Sequence, residues 1–164
     1  MAYLAILATP LLLFAWLASG SHLPTTQSPS VAPAASCAAK PQPREGIYKW
    51  YGPMWGQDIA ELTIKTALGS NYFIKLEDLS GRAARAYFLH GGSTQTFPVP
   101  LGTFALKYAT GQSWCGEDEL FGENTATNKA DDTFTFEGDT HWSVELILQR
   151  NGNLGTRSIP RSQF

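Results

Sequence analysis

Charge is missing from the opening stretch of this chain. From Met1 to Ala39 no side chain is charged at neutral pH, a titrating His22 aside, and all 12 basic and 14 acidic side chains lie from Lys40 onward. With a net charge of −2 and no clustered basic face, a nucleic-acid interface is excluded as the main role. Cysteine is also scarce. Two residues, Cys37 and Cys115, exclude a disulfide-dense scaffold and permit a single intramolecular pairing. The three histidines, His22, His90 and His141, form no H-x-x-x-H or mixed Cys/His set, so no zinc site is expected. Phosphate-binding glycine loops, a G-x-S-x-G elbow and a D-x-D-x-D-G calcium loop are all absent, and no cofactor is implied. What remains is 43% hydrophobic and 12% aromatic residues, enough for one domain with a buried core.

Ala2 to Ala18 is an apolar run broken only by Thr9 and Pro10, with Trp16 near its end. At about 1.5 Å per residue it reaches about 25 Å, the short end of a bilayer span. Residues 1–19 are therefore expected to be a transmembrane anchor or signal segment. A cleaved signal peptide is the alternative, with small residues at Ala18-Ser19-Gly20-Ser21 but no basic n-region. A lipoprotein is the third reading, since Ala34-Ala35-Ser36-Cys37 has lipobox-like residues, although they fall well downstream of the run. The expected location is the cell membrane, single-pass, with the rest of the chain outside the cytoplasm; secretion after cleavage is the alternative. Lys40 and Arg44, on the far side of the span, argue mildly for the opposite orientation.

Residues 20–45 form a spacer rich in Pro, Ser, Thr and Ala, without enough apolar surface to fold. Ile47 to Gly56 then crowds four aromatics together, as a sticky recognition segment or as a cap over the domain core. From there residues 46–164 read as a small antiparallel β-sandwich of seven or eight short strands, because period-two segments are punctuated by turns every 8–12 positions. Glu61–Thr66, Tyr72–Glu77, Ala84–Leu89, Thr94–Pro100, Thr103–Tyr108, Thr133–Glu137, Trp142–Gln149 and Leu154–Ile159 are the strand segments. Tyr72, Ile74 and Leu76 are expected inside, with Lys75 and Glu77 outside. Pro98 and Pro100 place their strand at an edge, and Asn151-Gly152 signals a hairpin. The fold class is all-β.

Val99-Pro100-Leu101-Gly102-Thr103-Phe104-Ala105-Leu106 resembles the V-P-x-G-x-Y-x-L element of transthyretin-like and carboxypeptidase regulatory-like domains, which implies a sandwich but no chemistry. The wider run from Asn71 to Leu148, with Gly-Gln-Ser-Trp and Leu-Phe-Gly, is similar to uncharacterised bacterial domains found behind a membrane anchor.

For chemistry the sharpest candidate is Cys115 with His90, a thiol beside a base that would lower its pKa. His90-Gly91 followed by Ser113-Trp114-Cys115 resembles the L,D-transpeptidase pattern, though Trp114 stands where that motif has Gly and Glu117 where it has Arg. That arrangement implies a cysteine-dependent envelope enzyme. Pairing of Cys37 with Cys115 would exclude it and would clip the spacer to the domain, closing a loop of about 80 residues. The acidic run around Glu117, Asp118, Glu119 and Glu123 reads as a solvated loop. The favoured expectation is a non-enzymatic envelope domain binding a protein or glycan through the loop from Gln112 to Asn124, with Trp114, Phe121, Glu117 and Asp118 as contact residues. In a second reading Trp114 and Phe121 pack beneath that loop. In a third the domain is a structural spacer.

Overall fold

A computed structural model describes residues 37–52, 59–147 and 154–164. The apolar run Ala2 to Ala18, most of the spacer, Pro53–Gly56 and the Asn151-Gly152 turn lie outside the described residues. Among those described, no helix is long and apolar enough to cross a membrane.

Among the described residues nine strands form two sheets: β1 Gly46–Trp50, β2 Ile59–Thr66, β3 Asn71–Asp78, β4 Ala83–Leu89, β5 Thr94–Pro100, β6 Gly102–Gly111, β7 Ala126–Phe136, β8 His141–Leu146 and β9 Thr156–Ser158. The larger sheet runs β1-β4-β3-β6-β7-β9 and the smaller β5-β2-β8. The fold is all-β and a sandwich, with one strand more than the expected upper count. The additional strand is β1, which begins the aromatic stretch and pairs with β4 at the edge of the larger sheet. Every pairing is antiparallel except β2 with β8. The parallel pair arises where the chain leaves β7 by the short turn at Glu137–Thr140 and changes sheets, Thr140 N donating to Glu137 O at 2.8 Å.

The interior follows the alternation of each strand. Leu62 and Ile64 of β2, Tyr72, Ile74 and Leu76 of β3, and Phe104 and Leu106 of β6 meet between the sheets. Beyond β2's inner residues, Glu61, Thr63 and Lys65 face out, as period two demands. Proline is accommodated as expected, since β5 lies at the edge of its sheet.

Six strands over three leave the sandwich asymmetric. Part of the larger sheet has a second cover on its outer face. Phe73, Ala86, Phe88 and Ala109 point outward from β3, β4 and β6 and are buried under Trp114, Leu120 and Phe121, with Tyr48, Tyr51 and Phe164 around them. This second core explains why β3 and β4 read as nearly continuous apolar runs. Lys75 and Glu77 are on the outer face as expected, but they too are covered. Glu77 is 7% exposed and bonds Lys107 Nζ at 2.6 Å, while Lys75 Nζ lies 4.7 Å from the Phe164 ring centre.

Candidate functional site

The loop between β6 and β7 carries most of the residues that the sequence singles out. Cys115 is joined to Cys37 by a disulfide, with the Cα atoms 5.9 Å apart and the two residues 78 positions apart in sequence. The chain after Cys37 then runs along the domain. Lys40 N donates to Trp114 O at 2.7 Å, Gln42 Nε2 to Gln112 O at 2.8 Å, and Glu45 Oε1 accepts from His90 N at 2.7 Å. Residues 37–45, part of the spacer by composition, are thus bonded along the sandwich. Gly122 adopts φ +72°, and a Cβ there would lie 2.7 Å from Cys37 Sγ, so both backbone and space require glycine beside the bridge.

Trp114 and Phe121 do not face solvent. They are 3% and 5% exposed, and the Trp114 ring is surrounded by Tyr48, Phe73, Phe88 and Phe121 at centroid distances of 5.1–5.8 Å. The expectation that these two rings offer a contact surface is corrected: they pack beneath their own loop. Leu120 is pulled inward with them, 1% exposed at φ 54°, its N bonded to Gly116 O and its carbonyl accepting from Cys115 N, both at 2.7 Å. Among the acidic residues Asp118 is exposed, whereas Glu117 bonds Lys49 Nζ at 3.0 Å and accepts from the Tyr51 hydroxyl. Burial raises the Glu117 pKa, but these two partners outweigh it and hold the carboxyl below its ordinary value. Burial, then the same carboxylate, pushes the Tyr51 phenol well above its usual range.

Catalysis by Cys115 has no thiol to use while the bridge stands, and the residue is fully buried. His90 is engaged elsewhere: Nδ1 lies 3.0 Å from Asn71 Oδ1, and the ring stands edge-on to Phe88. Glu119 offers an oxygen within 4.8 Å of both sulfurs, but sulfurs bonded to each other are not thiolate ligands.

A second constellation was not read from the sequence. On the outer face of the smaller sheet His141 Nδ1 lies 3.1 Å from Glu61 Oε2, and its Nε2 lies 3.1 Å from Thr63 Oγ1, which in turn meets Thr96 Oγ1 at 2.8 Å. The residues are cross-strand neighbours, and only knowledge that β8 pairs with β2 could have found them. The order carboxylate, imidazole, hydroxyl is that of a hydrolase triad. Its setting is not. Both Glu61 and His141 side chains are half-exposed or more on an open sheet face, and β2 lies between two paired neighbours that engage its backbone ladder. The arrangement ties three strands together.

Comparison of the chain with protein families, with characterised proteins and with solved structures finds no match. The site must speak through its own geometry.

The described residues also form concave features. Where β6, β7 and β9 extend past the smaller sheet, the inner-facing residues change character. Along β6 they pass from Phe104 and Leu106 to Tyr108 and Thr110; along β7, from Phe136 and Phe134 to Ala130, Asn128 and Ala126. Large apolar groups thus give way to small and polar ones. A cavity of about 550 Å³ opens there, walled by Tyr72, Tyr108, Leu146 and Leu154 and edged by Thr110 and Asn128. A smaller one of about 340 Å³ continues beside Phe134 and Trp142. Trp142 spans the seam, its Nε1 donating to Thr135 O at 2.8 Å and its ring edge-on to Phe134.

Proposed function

We propose that this chain is a non-enzymatic binding domain held on the outer side of a membrane by its N-terminal apolar segment, where it meets an envelope protein or glycan. The Cys37–Cys115 disulfide carries this reading. Such bridges persist in oxidising compartments outside the cytoplasm. The bridge also consumes the sulfur on which the cysteine-dependent alternative depended, and it fastens the end of the spacer to the folded domain. The polar chain at His141 lies half-exposed on an open sheet face, which further favours binding over turnover.

The test is made on full-length protein in the cells that produce it. Alkylation before and after reduction, with protease added to intact cells, reads redox state and sidedness together. The expected result is two thiols blocked until reduction and a domain cleaved from outside. Two thiols alkylated without reductant, or a domain protected until lysis, would overturn the proposal.

A further inference from the structure

We infer that the cavity at the open end of the sandwich is a binding site for a neutral saccharide. The inference deepens the reading of the domain as a binding module and rests on it, though not on its location. Three observations converge on the ligand class. The first is charge. Among the described residues lining the cavity no lysine or arginine is present, and the one carboxylate, Glu145, already has Lys65 Nζ at 3.4 Å. These described residues supply no counter-charge to an anionic ligand, and a cation would have to displace Lys65 from Glu145.

The second is shape. Tyr72 and Tyr108 stand side by side on the wall, ring centres 6.3 Å apart and planes inclined by 32°. The Tyr72 hydroxyl is taken, donating to Leu146 O at 3.1 Å, which fixes that ring in place. Tyr72 is only 5% exposed, so the half-buried Tyr108 ring is the aromatic surface left for the C–H face of a pyranose.

The third is the density of neutral polar groups. Thr110, Asn128, Thr156 and Ser70 bring hydroxyls and an amide to the same cavity. The three hydroxyls offer donors and acceptors without charge, and Asn128, whose Oδ1 accepts from Ser158 Oγ at 3.3 Å, offers its amide N–H groups. A lipid chain would leave these groups unsatisfied, at a cost of about 1–3 kcal/mol each if they were buried. A sugar, apolar on its faces and hydroxylated at its rim, satisfies both halves of the lining. The volume of about 550 Å³ falls inside the usual range of small-ligand sites, roughly 300–1,000 Å³.

The experiment uses the full chain in a detergent without a sugar headgroup. Chitotriose, maltotriose and tri-alanine are tested by saturation-transfer NMR and by shifts of the Tyr108 and Thr110 resonances. The expected result is saturation of at least one trisaccharide, with shifts at those residues and none from tri-alanine. Ala126→Trp, which fills the cavity beside Thr110, should weaken that binding tenfold or more. Thr110→Val and Thr156→Val keep the shape but remove hydroxyls; each should weaken it severalfold, and they carry the test if Ala126→Trp does not fold. Tri-alanine binding that Ala126→Trp abolishes would overturn the saccharide class while leaving the binding module intact. Saccharide binding untouched by all three variants would overturn the site. No binding by any probe would overturn the inference, leaving the redox and sidedness test to decide the rest.

Discussion

Phe121 packs flush against Gly111, filling the space that any side chain at position 111 would need. The contact fixes how closely the β6–β7 loop can lie on the outer face of the larger sheet. Gly111→Ala is therefore expected to destabilise by about 1–3 kcal/mol through overpacking. Gly138→Ala, where an added Cβ meets nothing within 4 Å, serves as the control. Urea denaturation checks both, and the loss in Gly111→Ala combined with Phe121→Ala should be smaller than the sum of the single losses.

Trp114 lies at the centre of the second core, so its truncation is a stability experiment. Trp114→Ala is expected to cost about 3–5 kcal/mol. The midpoint of chemical unfolding should fall accordingly. A near-neutral effect would mean that the ring is not packed as described.

The bridge closes a long loop, and removing it releases the unfolded chain from that restraint. Cys37→Ser or reduction should lower stability by about 4–5 kcal/mol, on the loop-entropy account. Thermal unfolding with and without reductant measures the difference.

Acid sensitivity has a defined sign. The Glu117 carboxyl is held below its ordinary value by Tyr51 and Lys49 against the effect of burial, and the Asp78 carboxyl is held well below its own ordinary value by the Ser80 hydroxyl and the Arg82 backbone amide. Groups with depressed folded values stabilise above the unfolded value, about 4, and that contribution is lost as pH falls through the folded one. Stability should therefore decline below about pH 4 and do so less steeply in Glu117→Gln. Unfolding midpoints between pH 3 and 7 provide the check.

The strands were legible because one face of each obeys period two. Leu62 and Ile64, or Phe104 and Leu106, need no tertiary knowledge to be assigned inward. The second core was hidden for the opposite reason. Phe73 and Phe88 break the alternation, and nothing local tells whether a loop will cover them. The same ambiguity made Trp114 and Phe121 look like surface anchors: an aromatic in an acidic loop reads as exposed until a partner face is known. Glu61 and His141 are separated by 80 positions, and their meeting depends on a parallel pairing that short turns do not announce. The cavity was equally invisible, since the gradation from Phe134 to Asn128 has meaning only once six strands are seen to overhang three.

The sulfur bridge also decides where mechanical load enters the molecule. A pull arriving along the chain ahead of Cys37 meets a fork. One branch follows residues 38–45 to β1, an edge strand held by β4 alone. The other crosses to Cys115, between β6 and β7, each flanked by strands on both sides. Both branches are covalent, but the bridge is the shorter path into the sheet, so it takes the strain first and β1 is spared from being unzipped end first. A tugged domain of this design is gripped near its middle, and its weakest hem stays slack.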